Sequence, residues 1–324
     1  MKVNVIPRAM LIMALATACS DTSKAQKQVE PVDPFPNSAT VTASPVVPAT
    51  ITVWDQPFDV DRADIFERLD RELTSITYTH GNTLLTLKRA NRLFPEIVPI
   101  LRKNDVPMDM LYLAITESNL DTRAVSPAKA AGIWQFMPAT AKQYGLEVNE
   151  FVDERFNLEK ATQAACRYFK EAYKKFGDWN TVAASYNAGT GRISSELASQ
   201  KEDSALDLYL VSETSRYPFR IMAHKLIFEN PRAYGFYLTP EQFYQPMEYD
   251  EFTVNTPIAD LVAWAQNHGI SYAQLREANP WIRARRLPNA TGKSYTIRVP
   301  KKESLNRSTQ KVKIFNPAWV SDKK

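Results

Sequence analysis

Residues 108–115 are apolar on almost every side, and Asp109 is the one charged residue among them. Asp105 precedes the run as a predicted helix N-cap, and Pro107 suits the first turn, where its missing N–H group costs no hydrogen bond. A helix that is apolar all round is normally buried inside a domain. The segment therefore predicts the central helix of a helical core, and the fold has to surround it.

Helical periodicity also dominates the neighbouring sequence. Apolar residues recur at three- and four-residue spacing, and no stretch between residues 60 and 245 alternates as a strand would. The patterns cover residues 65–76, 84–101 (interrupted by Pro95 and Pro99), 158–176, 179–189 and 213–228. We therefore predict a mainly α fold with an all-α domain over residues 56–245.

The composition changes after Pro246, where short strand patterns enclose two helical segments. The strand patterns are residues 252–254 and 295–299, and the helical segments are residues 258–268 and 271–279. This order predicts a small α/β module, of the form βααβ, over residues 247–302.

Residues 303–324 are predicted to form a basic tail. From Met247 onward, 13 Lys and Arg residues stand against 7 Asp and Glu residues, whereas the formal charge of the whole chain is +4. Such an excess suits a polyanion (nucleic acid, a membrane or a cell-wall polymer), but it is equally typical of an ordinary solvated surface. The charge alone leaves these alternatives open.

The first 19 residues have the order of a secretory signal peptide. Lys2 and Arg8 precede the apolar residues 9–16, and small residues lead to Cys19. The apolar run is too short to span a bilayer. Residues 20–55 are rich in Pro, Ser, Thr and Ala without apolar periodicity, which predicts a disordered tether. A chain exported in this way is not expected to bind nucleic acid.

Glu117 follows the apolar segment on the helix face of Ala114, Leu113 and Met110. A lone Glu is ordinarily a solvated surface residue. A carboxyl group at the end of an apolar helix is partly desolvated, however, and desolvation favours its protonated form. A glycosidase acid needs a proton near neutral pH, so Glu117 is the first candidate for a catalytic acid.

Four separated motifs contain or follow Glu117. They are residues 117–126 (ESNLDTRAVS), 131–138 (AGIWQFMP), 183–189 (AASYNAG) and 213–217 (ETSRY). Their order and spacing resemble the catalytic domain of the lytic transglycosylases of the soluble lytic transglycosylase type, over about residues 95–230. The resemblance implies a lysozyme-like fold, an enzyme acting on the glycan strands of peptidoglycan, and Glu117 as its catalytic residue.

The same resemblance implies which residues line the substrate cleft. They are Ser126, Gly132, Gln135, Met137, Tyr186, Asn187 and Tyr217. Ser126 is expected to hydrogen-bond near the reacting sugar, and Tyr186 to face the Glu117 carboxyl through its hydroxyl group. Trp134 and Phe136 fit a hydrophobic core and a platform for sugar rings equally well, because aromatic side chains serve in both.

Most glycosidases use two carboxyl groups, but these motifs offer no obvious second acid. Asp121 and Asp153 are the candidates, against a loop cap for Asp121 and a fold-supporting role for Asp153. With one carboxyl group, the resemblance implies that Glu117 protonates the bond between N-acetylmuramic acid and N-acetylglucosamine. It then acts as a base to form a 1,6-anhydromuramyl end. No cofactor or metal is implied, and endo or exo action stays open, as do a lysozyme-like hydrolase and a non-catalytic wall-binding protein.

Two further resemblances concern the ends of the chain. Residues 247–302 resemble a degenerate LysM domain, a peptidoglycan-binding unit, with NTPI at 255–258 in place of the usual Gly-Asp-Thr-Leu. Sugar binding and structural support for the catalytic domain are both open for this module. Residues 16–19 (ATAC) resemble the lipobox of bacterial lipoproteins, although Ala16 replaces a branched residue. We expect a lipid on Cys19 to anchor the chain at the periplasmic face of the outer membrane, with plain secretion as the alternative.

Overall fold

The computed structural model describes residues 43–321. The predicted signal peptide with Cys19, and residues 20–42 of the predicted tether, lie outside the described residues. The helices are α1 (Ala63–Tyr78), α2 (His80–Lys103), α3 (Met110–Ser118), α4 (Pro138–Gln143), α5 (Leu158–Phe176), α6 (Trp179–Ala188), α7 (Thr190–Gln200), α8 (Ser212–Glu229), α9 (Leu261–Asn267) and α10 (Tyr272–Ala278). The strands are β1 (Thr50–Val53), β2 (Gln56–Asp59), β3 (Tyr249–Val254) and β4 (Tyr295–Pro300). The predicted mainly α fold with a βααβ module is confirmed.

The strands β1 and β2 form an antiparallel hairpin in a stretch that the composition predicts to be part of the tether. Ile51 and Val53 are buried, and at the turn the Trp54 backbone N–H donates to Asp109 Oδ2 at 2.6 Å. The Trp54 indole N–H donates to Asn180 Oδ1 at 2.8 Å. The tether prediction is wrong for these last residues, because a four-residue alternation is too short to stand out among Pro, Ser and Thr.

The helix α2 runs without interruption through Pro95 and Pro99, so the predicted break is wrong. The two prolines are four residues apart and both lie on the exposed side of the helix. Each removes one backbone donor, but on the exposed side water can supply the missing hydrogen bond. The opposite side of α2 is buried at Phe94, Ile97 and Leu101, which holds the helix in place.

The helix α3 is the central helix, as predicted, and it packs against α2 and α8. It begins at Met110 rather than near residue 105, since Asp105 adopts a left-handed conformation with φ 53°. Asp109 occupies the N-cap position without capping the helix, because its carboxylate points into the interior. There Lys225 Nζ of α8 donates to Asp109 Oδ1 at 2.7 Å. The helix therefore starts on a buried ion pair instead of an N-cap.

The helix α8 lies at the centre of the helical domain, since it packs against α1, α3 and α6. The helix α5 ends at Gly177 in the left-handed conformation, and α6 ends at Gly189, both as the sequence predicts. Glu117 lies in the last turn of α3, Tyr186 in the last turn of α6, and Tyr217 in the second turn of α8.

The βααβ module has an antiparallel β3–β4 pair with Phe252 opposite Ile297. Its core also takes in Val152 and Phe156, which belong to the segment between α4 and α5. Val152 forms a β-bridge with Ile282, and the Asp153 backbone N–H donates to the Trp281 carbonyl at 2.9 Å. The module thus packs directly against a segment of the catalytic domain.

The segment from residue 303 to 321 keeps a basic and mostly exposed surface, but its end is anchored in the helical core. Trp319 is buried among Phe94, Phe228 and Phe243, and its indole N–H donates to the Phe228 carbonyl at 2.6 Å. The Asn91 side chain of α2 accepts from the Phe315 N–H at 2.8 Å. A single anchoring Trp among many Lys and polar residues makes no periodic pattern, which is why composition misses it.

Candidate active site

Glu117 lies in the last turn of α3, and its side chain is partly exposed although Leu113 and Ala114 behind it are buried. The chain leaves the helix through two residues with left-handed backbone conformations, Asn119 with φ 49° and Leu120 with φ 56°. This abrupt end stops the helix immediately after the carboxyl group. The carboxyl group therefore lies at a boundary between the core and solvent.

The Tyr217 hydroxyl of α8 donates a hydrogen bond to Glu117 Oε1. Burial raises the pKa of the Glu117 carboxyl to about 7, against the hydrogen bond from Tyr217, which lowers it. The negative charge of Glu213 also raises this pKa, and the positive charge of Arg220 lowers it. A carboxyl group with this pKa holds a proton near neutral pH and can also release it.

The hydrogen bond of the Tyr186 hydroxyl goes to the wall segment, and within residues 43–321 none joins it to Glu117. That hydroxyl donates to the Trp134 carbonyl at 2.6 Å. The two groups are still close enough for the Glu117 charge to add to the effect of burial, and together they raise the pKa of Tyr186 well above 10. Tyr217, rather than Tyr186, therefore contacts the carboxyl group directly.

The segment between residues 124 and 137 forms one wall of the site, held by its own hydrogen bonds. Ser126 Oγ accepts from the Ala130 N–H at 3.0 Å, and the Gln135 side-chain amide donates to the Gly132 carbonyl at 2.7 Å. The Ser118 hydroxyl, next to Glu117, donates to the Ile133 carbonyl at 2.9 Å. Met137 is 43% exposed at the end of the segment. The wall is thus attached to the end of α3.

Gly132 is buried beneath this wall and does not form its surface. Its φ is +76°, and a Cβ atom at this position would lie 1.9 Å from the Arg155 carbonyl oxygen. Any side chain would collide with the backbone of the segment that joins α4 to α5. Gly132 is required for close packing of two chain segments. This explains the need for a glycine more specifically than the expected position in the substrate cleft does.

Trp134 and Phe136 are core residues. They do not form a platform for sugar rings, which is the other role that the sequence leaves open. Both are buried, and the Trp134 indole N–H donates to the Thr162 hydroxyl at 2.9 Å. Asn187 is also engaged, because its Oδ1 accepts from the Thr214 hydroxyl at 2.9 Å and links α6 to α8.

The two candidates for a second acid are both engaged in local structure. Both carboxylate oxygens of Asp153 bind the buried Arg155 guanidinium, at 2.9 and 2.8 Å. Asp121 Oδ1 accepts from the Arg123 N–H at 2.9 Å, and Asp121 Oδ2 lies 3.5 Å from Arg89 Nη2. These contacts agree with the fold-supporting and loop-capping alternatives.

Arg155, the ion-pair partner of Asp153, holds the wall segment in place. The guanidinium donates to the Lys129 carbonyl at 2.7 Å and to the Phe136 carbonyl at 2.9 Å, on both sides of the wall segment.

Arg220 and Glu213 form an ion pair at 2.7 Å near Glu117. No sequence signal distinguishes this pair from the other charges of α8. Within residues 43–321 no cluster of three or more His, Cys, Asp or Glu side chains could hold a metal ion.

Two family models match the chain. A transglycosylase SLT domain matches residues 97–208, and the soluble lytic transglycosylase C-terminal LysM-like domain matches residues 250–303. The chain therefore contains an SLT transglycosylase domain followed by a LysM-like domain, as the motifs predict.

The chain is homologous to membrane-bound lytic murein transglycosylase D of Escherichia coli (strain K12). The two are 31% identical over 245 residues, which are 74% of this chain and 52% of that protein. Peptidoglycan transglycosylase gp16 of Escherichia phage T7 is 40% identical over 93 residues, 28% of this chain and 7% of that protein. The chain thus spans about half the length of the transglycosylase D relatives that it matches.

Solved structures with partial similarity include the lytic transglycosylase Slt from Pseudomonas aeruginosa. It has a TM-score of 0.33 and 18% identity, over 41% of this chain and 23% of that one. The 70 kDa soluble lytic transglycosylase from Escherichia coli has a TM-score of 0.32 and 23% identity, over 37% and 21% of the two chains. None of the helices in the described range has the length and apolar character needed to cross a membrane.

Proposed function

We propose that the chain is a lytic transglycosylase that cleaves the glycan strands of peptidoglycan, with Glu117 as its acid and base. The observation that carries the proposal is the Glu117 carboxyl group. It has a pKa raised to about 7 by burial and a hydrogen bond from Tyr217, and it lies within an SLT domain.

In the first step the protonated Glu117 donates its proton to the glycosidic oxygen between N-acetylmuramic acid and N-acetylglucosamine. The bond from this oxygen to C1 of the muramic acid breaks, and positive charge develops at C1 and the ring oxygen. The Tyr217 hydroxyl stabilises the carboxylate that remains, because it donates to Glu117 Oε1.

In the second step the muramic 6-hydroxyl attacks C1, and the Glu117 carboxylate takes the hydroxyl proton. A C1–O6 bond forms, the product is a 1,6-anhydromuramyl end, and Glu117 is protonated again for the next cycle. The substrate itself supplies the nucleophile, so one enzyme carboxyl group serves both steps. The local engagement of Asp121 and Asp153 supports this use of a single acid.

The remaining cleft residues divide into two groups in this proposal. Ser126, Gln135 and the exposed Met137 border the sugar chain. Gly132, Tyr186 and Asn187 keep the cleft walls in place through their packing and hydrogen bonds.

Analysis of the muropeptides released from purified sacculi tests the reaction. We expect products with anhydromuramyl ends and no reducing muramic ends. Reducing ends would identify a hydrolase, and release of no product by the wild-type chain, with binding to sacculi retained, would identify a wall-binding protein.

The variant Glu117→Gln tests the catalytic residue, because an amide keeps the shape of the side chain but cannot transfer the proton. We expect product release to fall by about 10²–10⁴-fold. Glu202→Gln, at an exposed position, is the matched control and should keep full activity. A Glu117→Gln variant with normal activity would refute the mechanism.

We further propose that Cys19 carries a lipid that holds the enzyme at the periplasmic face of the outer membrane. Residues 1–19 support this, with their signal-peptide order and lipobox-like end. Labelling with radioactive palmitate should mark the wild-type chain but not a Cys19→Ser variant, which should move to the soluble periplasmic fraction. Equal labelling of both chains would contradict the anchor.

A further inference from the structure

A cavity of about 550 Å³ lies outside the Glu117 site, where the C-terminal segment crosses α2. The helix contributes Lys88 and Arg92, which lie four residues apart on one face. Residues 241–245 form a second side, and Leu305, Arg307 and Val312 of the C-terminal segment form a third. The volume lies within the range of about 300–1,000 Å³ typical of ligand sites.

Three cations, Lys88, Arg92 and Arg307, line this cavity, against Glu241 as the one acidic residue of its lining. None of the three forms an ion pair with a carboxylate of residues 43–321. This differs from nearby cationic side chains of the protein. Arg89 lies beside Asp121, and Lys313 binds Glu248 at 3.0 Å. The cavity therefore gathers positive charge that the described part of the chain does not neutralise.

Backbone carbonyl groups hold the two guanidinium groups in position. Arg92 Nε donates to the Gln245 carbonyl at 3.0 Å, and the Arg92 guanidinium lies 5.3 Å from the centre of the Tyr244 ring. Arg307 Nη2 donates to the Glu241 carbonyl at 2.9 Å. Each guanidinium group keeps further N–H donors that bond to no other group of residues 43–321. Oriented guanidinium groups with free donors match the geometry of carboxylates and phosphates.

We propose that this cavity binds the carboxylates of the short peptides attached to the glycan strands, which makes it a second substrate site apart from Glu117. The proposal rests on peptidoglycan being the substrate. The lining favours a peptide over a simple phosphate, because it contains amide side chains (Gln242, Gln310) and the apolar Leu305 and Val312 in addition to the cations. An oligopeptide offers backbone amides and apolar side chains to such a lining, in addition to its carboxylates.

Binding of soluble muropeptides to the full-length Glu117→Gln chain tests the site without turnover. Calorimetric titration with a muramyl tetrapeptide that has free carboxylates should give saturable, salt-sensitive binding. The same peptide with its carboxylates amidated should bind about tenfold more weakly or worse. Equal binding of both peptides, or no binding of either, would overturn the proposal.

Charge variants locate the binding. Lys88→Glu and Arg307→Gln should each weaken the binding of the free tetrapeptide by about tenfold. Lys174→Glu and Arg232→Gln, at exposed positions away from the cavity, are the matched controls and should leave it unchanged. The Lys88 side chain makes no hydrogen bond or ion pair within the described residues, so Lys88→Glu should fold normally. Unchanged affinity in the folded Lys88→Glu and Arg307→Gln variants would overturn the proposal.

Two further titrations separate the peptide from other anions. Inorganic phosphate and vesicles with an anionic phospholipid are the probes, and neither should compete with the tetrapeptide at equal anion concentration. Stronger binding of either one, lost in Lys88→Glu, would assign the site to phosphate and overturn the proposal. Because binding is measured without turnover, a chain that binds muropeptides but releases no anhydro products would refute the proposed function and leave this inference standing.

Discussion

At the residue scale, the chemistry proposed for the site depends on one carboxyl group. The backbone turns sharply after α3 and leaves Glu117 at the edge of the core, where burial raises its pKa and Tyr217 lowers it again. The balance sets a value of about 7, which suits the proposed role of Glu117 as a group that gives and takes a proton in one cycle.

The pH dependence of kcat/KM should follow this balance. Because the free enzyme has to start protonated, the rate should fall as pH rises through about 7. Tyr217→Phe removes a hydrogen bond that lowers the pKa of Glu117, so the alkaline limb should move to higher pH. Glu213→Gln removes a charge that raises this pKa, so the limb should move to lower pH.

Rates on soluble glycan strands between pH 4 and pH 9 check these two variants side by side. The opposite direction of the two shifts is the decisive result. Shifts in the same direction would mean that at least one of the two groups does not act on Glu117 as its charge or hydrogen bond predicts.

The stability of the protein should also depend on pH, because the pKa of Glu117 is raised in the folded state. The folded-state pKa of Glu117 is about 7 and the ordinary pKa of a glutamate is 4.5, so the unfolded chain releases the proton first as pH rises. The wild-type free energy of unfolding should therefore lose up to about 3 kcal/mol between these values. Glu117→Gln should gain stability relative to the wild type at pH 8 but not at pH 4, in urea titrations of both chains. An equal difference at both pH values would contradict the raised pKa.

The sequence could predict the place of Glu117 because it follows from helix periodicity and an apolar segment. It could not predict the hydroxyl partner of Tyr186, since the Trp134 carbonyl belongs to a segment 52 residues away. Nor could it separate Glu213 and Arg220 from other charges of α8. Their effect depends on distances across helices that no local pattern encodes.

At the scale of elements, the wall over residues 124–137 depends on a close contact with the segment before α5. Arg155 reaches both sides of the wall, and its carbonyl fits only because Gly132 has no side chain. The LysM-like module supports the same segment through the Trp281 carbonyl, which accepts from the Asp153 N–H. The module therefore packs directly against the segment that holds the wall, a contact that fits the structural-support alternative left open by the sequence.

Gly132→Ala should destabilise the protein by about 3 kcal/mol or more, because the cost of the left-handed φ adds to the cost of the overlap with the Arg155 carbonyl. Gly177→Ala is the matched control, with φ +70° and nothing within 4 Å of the added Cβ, and it should cost about 1–2 kcal/mol. Thermal unfolding of both variants measures the difference. Equal costs would mean that the wall can move away from Arg155 without penalty.

Secondary structure followed from the sequence where patterns are long, and was missed where they are short. The periodicity of α5 extends over 19 residues, and Gly177 marks its end. The β1–β2 hairpin has strands of only four residues. Pro95 and Pro99 were expected to break α2, but helices tolerate proline where the lost hydrogen bonds face solvent.

At the scale of the whole molecule, the C-terminal segment completes a core that the helices leave open. Trp319 packs against Phe94 of α2 and Phe228 of α8, which no other described Trp does. Asn91 fixes the path of the segment by binding Lys313 and Phe315 on the backbone. Local sequence patterns cannot predict contacts between residues more than 200 positions apart.

Trp319→Ala should lower the free energy of unfolding by about 3–5 kcal/mol, the usual cost of removing a large buried aromatic side chain. Tyr209→Ala is the control for an aromatic residue in solvent, since Tyr209 is 91% exposed, and it should change stability by less than about 0.5 kcal/mol. Guanidinium titrations of the two variants measure both values. Equal stability of the two would show that the segment only rests on the surface.

The Asn91 contacts with Lys313 and Phe315 also impose an order of events during synthesis. The two ends of these contacts are separated by 222 and 224 residues. The pocket between Phe94 and Phe228 thus stays unfilled until the ribosome has released Trp319, and long-range closure of this kind is slow. Until then, the apolar walls of this pocket stay accessible in the nascent chain.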